Sequence, residues 1–96
     1  MYLTSTRHRV KDYAVWRTAF DDNVHLLTES GITEWWVVQV DGDPTDVAVI
    51  VLCPLKDHWD KFVAADTEKR KQTGTDPREQ AGLIGDVQWW AGEVMP

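Results

Sequence analysis

The chain has 96 residues, 43% of them apolar and 27% charged, and a formal net charge of −6. That length is expected to form one small domain, residues 1–96, and not a multi-domain enzyme. Sixteen acidic against ten basic residues, with a pI near 4.8, offer no basic surface to nucleic acid or to an anionic membrane.

Residues 2 to 10 are rich in Thr and are expected to form a first strand. Asp12 then offers an N-cap to a helix from Tyr13 that Gly31 closes. Tyr13, Trp16, Phe20, Val24 and Leu27 share one stripe of that helix at spacings of three and four. Residues 32 to 40 have strand composition, and the turn chemistry of Asp41-Gly42-Asp43-Pro44 leads to the apolar run Val47 to Cys53, so the two read as a hairpin. Pro54 stops the second of them. Asp57 is the expected cap of a helix with Trp59, Phe62 and Val63 on its apolar stripe, and the basic run Lys69-Arg70-Lys71 suits the negative end of its macrodipole. Asp76-Pro77-Arg78-Glu79 resembles a short helix start, and Asp86 to Val94 reads as the last strand. The order is βαββαβ, an α+β ferredoxin-like fold with a four-stranded antiparallel sheet and two helices on one face.

Two surface deductions follow from strand alternation. The pairs Trp35-Trp36 and Trp89-Trp90 each place one indole on either face of the sheet. Six Trp carry roughly 1,200 Å² of surface, more than so short a chain can hide alone. Two helices cover one face only, so a homodimer packed sheet face to sheet face is the expected cover for the other. In the first strand Tyr2, Thr4, Thr6, His8 and Val10 share a face. Under a helix layer such hydroxyls and an imidazole need partners, which points to a partly polar cavity between sheet and helices.

Glycine-rich phosphate loops, nucleophile elbows and short metal-ligand spacings are absent from the sequence, so no metal and no cofactor is assigned. Cys53, the sole cysteine, reads as a small core residue. His58 is the expected catalytic base, because the first turn of a helix favours neutral imidazole, with His8 as its companion. His25 lies opposite the apolar stripe and is expected to face solvent. Asn23 flanks the stripe and is expected either to anchor a ligand or to bond the local backbone. Trp16, Trp36, Trp59, Trp90, Phe20 and Phe62 are assigned as walls of a site for a hydrophobic or aromatic small molecule. Strand register leaves Trp35 and Trp89 as the alternatives to Trp36 and Trp90. With no apolar segment of signal-peptide type after Met1, the expected location is the cytoplasm.

The segment Val10-Lys-Asp-Tyr-Ala-Val-Trp-Arg-Thr-Ala-Phe-Asp22, the turn at Asp43-Pro44 before an apolar strand, and Trp59-Asp-Lys-Phe62 resemble the dimeric α+β barrel superfamily, in particular its antibiotic biosynthesis monooxygenase-like group. The resemblance spans nearly the whole chain. It implies homodimers with a pocket between sheet and helices in each subunit, some members oxygenating phenolic polyketides without metal or flavin and others acting as cyclases. Similar proteins often have His where Asn23 stands and an aromatic residue where Cys53 stands. The expected function is thus a cofactor-independent monooxygenase or cyclase of secondary metabolism acting on an aromatic or polyketide-like substrate. Its rival is a non-catalytic dimeric ligand-binding or stress-response protein. RNA binding on such a sheet would need basic and aromatic residues on the third strand, and that strand is aliphatic.

Overall fold

The computed structural model describes residues 1–96. Its elements are β1 (Tyr2–Val10), α1 (Tyr13–Glu29), β2 (Glu34–Gln39), β3 (Asp46–Cys53), α2 (Lys56–Thr73), a single-turn α3 (Pro77–Gln80) and β4 (Leu83–Glu93), with a 3₁₀ turn at Val40–Gly42. The sheet is antiparallel in the order β2-β3-β1-β4, which makes β3 and β1 central. This is the ferredoxin-like arrangement expected from the sequence. No helix is long and apolar enough to cross a membrane.

Local chemistry sets the boundaries. The Asp12 carboxylate accepts the Val15 amide at 3.1 Å, capping α1. At the other end Gly31, at φ +85°, reverses the chain so that the Ile32 amide reaches the Leu27 carbonyl at 3.0 Å. Asp43 Oδ1 accepts both the amide and the hydroxyl of Thr45, at 2.8 and 2.7 Å, which fixes the turn into β3. Asp76 Oδ1 accepts the Arg78 amide at 2.9 Å with Pro77 in the first position of α3. One expected cap differs: α2 begins at Lys56, with Leu55 as its N-cap and no capping side chain. Pro54 leaves room for one extended residue, so Asp57 falls inside the first turn, where its charge meets the helix dipole.

The core divides in two. Val10, Trp16, Val47 and Ala81 pack at one end of the sheet; Leu27, Ile32, Val51 and Cys53 pack at the other. Both lie beneath α1, whereas α2 contributes no fully buried residue. The fold therefore leaves space between α2, α1 and the β1–β4 half of the sheet. Leu27 is only 2% exposed in the second cluster, so Leu27→Ala is expected to lower the unfolding free energy by about 3 kcal/mol. Urea denaturation checks this, and a loss below about 1 kcal/mol would contradict such packing.

The face away from the helices is open. Trp36 (50% exposed) stands across the strands from Ile50, and Trp90 (61%) from Ser5, with Leu3, Leu52 and Val38 in adjoining rows. Arg7 closes one end of this patch, donating to Asp46 through Nε at 3.0 Å and Nη2 at 2.7 Å. This paired guanidinium holds the Asp46 carboxyl below the usual carboxylate range.

Candidate functional site

The space beneath α2 is a cavity of about 800 Å³. Its floor is the helix-facing side of β1, with Tyr2, Thr4, Thr6 and His8 in succession, flanked by Val87 and Trp89 of β4. One wall is α1, through Trp16, Phe20, Asn23, Val24 and Leu27, and the other is α2, through Trp59, Phe62, Val63, Asp66 and Arg70. The polar strand face expected over a cavity is thus present.

His8 is 4% exposed, and neither ring nitrogen has a hydrogen-bond partner in the protein. Its ring tilts at 54° against the Trp16 indole, 5.7 Å between centroids, and Trp16 stacks in turn on Phe20. Opposite His8 the sheet is irregular. Between the pairs Arg7–Gln88 and Arg9–Ile84, β1 supplies His8 alone while β4 supplies Gly85, Asp86 and Val87. Gly85, at φ +71°, makes this bulge possible, and bulges of this kind re-aim side chains at the edges of binding sites.

Burial, and after it the positive charge of Arg78, pushes the His8 pKa below its usual value near 6.5, while Asp76 and Asp46 pull weakly upward. The folded protein thus holds His8 neutral where an unfolded chain binds a proton. The unfolded state gains that proton as pH drops below about 6.5, so folding stability is lost as pH falls and recovered as it rises. His8→Gln is expected to flatten the dependence of Tm on pH between about 5 and 7. Thermal unfolding across that range decides it, and parallel curves for the two proteins would contradict a depressed pKa.

Other polar atoms join His8. Thr4, 2% exposed, has a buried hydroxyl without a partner, and so does the Oδ1 of Asn23. Asn23 Nδ2 donates to the Ala19 carbonyl at 2.8 Å, so this residue bonds the local backbone and still turns its oxygen inward. At the His8 end, Arg70 pairs with Asp66 at 3.0 Å and meets Asp76 at 3.5 Å, and Asp76 also meets Arg78 at 3.4 Å. This chain of charges links the end of α2 to the start of α3.

Of the residues assigned from sequence, His8, Trp16, Phe20, Asn23, Trp59 and Phe62 line the one cavity. Three do not. His58 stands in the first turn of α2 with its ring over Gly31, where Cδ2 lies 2.6 Å from the position a Cβ would take. It shares a helical stripe with Phe62, but its ring rests on Gly31, just after α1, whereas its neighbours Lys56, Trp59 and Asp60 line the cavity. Trp36 and Trp90 face the open side of the sheet, because pairing with Ile50 and Ser5 fixes the parity of their strands. Trp89 is therefore the β4 indole at the cavity, and Trp35 packs with the cluster around Leu27. His25 is exposed, as expected.

Arg70, Arg78 and Asp66 were not legible as site residues. The one available signal was the continuation of the Trp59, Phe62, Val63 stripe at the same spacing to Asp66 and Arg70.

No protein-family model and no curated protein matches the sequence. Solved structures do match the fold. The cofactor-independent oxygenase SnoaB from Streptomyces nogalater superposes with a TM-score of 0.76 at 10% identity, covering 99% of this chain and 93% of its own. An antibiotic biosynthesis monooxygenase gives 0.74 at 14% identity, with both chains covered in full. A dimeric ferredoxin-like protein from an uncultured marine organism gives 0.72 at 12% identity, with 99% and 94% covered. At such identities the likeness is one of architecture, and the chain has the ferredoxin-like fold on which antibiotic biosynthesis monooxygenases and dimeric ferredoxin-like proteins are built.

Proposed function

We propose that the protein is an enzyme that takes a flat aromatic or polyketide-like molecule into the cavity beneath α2 and removes a proton from it with His8. The observation that carries this reading is a neutral, buried imidazole among the residues that line the cavity, with no protein partner at either nitrogen. A catalytic base works best when neutral at the operating pH and unengaged, and the depressed pKa provides the first condition. Trp16 supports the ring, while Phe20, Trp59 and Phe62 offer apolar surface for a planar substrate.

Oxygenation is the chemistry that fits both this base and the fold shared with a cofactor-independent oxygenase. His8 accepts a proton from an acidified CH₂ of the substrate, leaving a carbanion that the rings delocalise. The carbanion passes one electron to O₂, and the resulting pair joins through a new C–O bond. His8 returns its proton to the peroxide, which then loses water, so that CH₂ and O₂ become C=O and H₂O. The electrons come from the substrate, so the reading includes no cofactor. A cyclase would use the same base with a substrate carbonyl as the acceptor in place of O₂.

Assembly belongs to the same proposal: two copies, in the cytoplasm, pack through their open sheet faces and cover Trp36 and Trp90. For the chemistry, the test is oxygen uptake with an enolisable hydroxyanthrone as probe. The protein is expected to accelerate uptake above the buffer rate, and His8→Phe is expected to remove that acceleration. Equal rates with and without protein would contradict the oxygenase reading.

A further inference from the structure

We infer that Thr4 and His8 measure the length of the ligand, selecting an elongated, rigid, flat molecule with a hydrogen-bonding oxygen at each end. This rests on the proposal that the cavity is the ligand site and adds the ligand's length and polar pattern to it.

Alternate residues of a strand stand about 6.6 Å apart, so Thr4 and His8 are separated by roughly 13 Å along β1. Both are more than nine-tenths buried, both line the same cavity, and each has buried polar atoms with no partner in the protein. The backbone of β1 is paired with β3 and, except opposite the bulge at His8, with β4, so it is chiefly its side chains that remain to meet a ligand. Between the two anchors, Phe20 and Phe62 give the walls apolar surface. A short ligand completes one anchor and leaves the other dry and unbonded. A flexible one completes both only after losing rotational freedom. A rigid rod of the right length completes both at once. Placed edge down on β1, its flat faces meet the aromatic walls on α1 and α2.

The test is an NMR titration of the ¹⁵N-labelled full chain with rigid diols of one, two and three para-linked rings: hydroquinone, biphenol and terphenyldiol. The three-ring rod is expected to shift the amides around both Thr4 and His8, and to bind at least about tenfold more tightly than biphenol. Thr4→Val is expected to cost that rod about tenfold in affinity and to cost hydroquinone, which still has the His8 anchor open to it, less, with Thr4→Ser restoring the loss. Equal weakening of hydroquinone and terphenyldiol by Thr4→Val would show a merely structural threonine and overturn the inference. So would affinity that does not rise with length, even if oxygen uptake still depends on His8; the proposed chemistry would then stand alone. If no rod shifts any amide of the cavity, both the length selection and the ligand site fall.

Discussion

His8→Phe should reduce turnover of the hydroxyanthrone probe by about 10²- to 10⁴-fold, the usual contribution of a positioned proton acceptor. That range corresponds to about 2.7 to 5.4 kcal/mol of barrier. The substitution is chosen to keep shape. Phenylalanine retains a ring against Trp16, where the centroids stand 5.7 Å apart, and removes only the two nitrogens. Those nitrogens are buried without partners, so their loss should leave stability unchanged or raise it by about 1 kcal/mol. A variant that folds at least as well and turns over far less separates a chemical role from a structural one. The pH profile gives a second check. The base is active when neutral, and burial with the charge of Arg78 holds its pKa low, so activity should persist below pH 6.5 and fall only as pH drops through the depressed value. Full turnover by His8→Phe would remove His8 from the chemistry.

The second large effect concerns assembly. Trp36 and Trp90 lie half or more exposed on a face that also carries Leu3, Ile50, Leu52 and Val38. A two-fold interface presents each substitution twice, so Trp36→Lys with Trp90→Lys places four ammonium groups in a space that the native chain would fill with indole. Large aromatic anchors at interface centres are each worth about 2 kcal/mol or more, and four of them account for at least a thousandfold weakening of the dimer. Neither indole packs in the two core clusters, so the fold should persist. Sedimentation equilibrium at micromolar concentration should give twice 11.0 kDa for the native chain and 11.0 kDa for the double variant. A native mass of 11.0 kDa would leave the open face without its proposed partner copy.

Local rules in the sequence determined a great deal. The N-cap at Asp12, the stop at Gly31, the turn at Asp43 and the start at Asp76-Pro77 each depend on a few neighbouring residues, and all four stand where expected. Alternation along β1 was equally legible, because a period of two needs no partner. It put Thr4, Thr6 and His8 on one face, which pointed to a polar cavity floor wherever that face lay under the helices. Alternation also guaranteed that Trp35-Trp36 and Trp89-Trp90 would divide between the two faces of the sheet. Which member went where depends on pairing, since a shift by one residue exchanges every side chain between faces. Contacts from β2 to β3 and from β1 to β4 made that choice, sending Trp36 and Trp90 outward. The displacement of His58 has the same origin. Its position on α2 was readable, but what lies beneath the first turn is decided by Gly31, a residue 27 positions earlier whose missing side chain lets the imidazole ring settle there. The sequence by itself determined the elements, their order and the polar face of β1. Only the tertiary structure decided which face looks into the cavity and where the His58 ring of α2 comes to rest, because both follow from long-range contacts instead of local propensity.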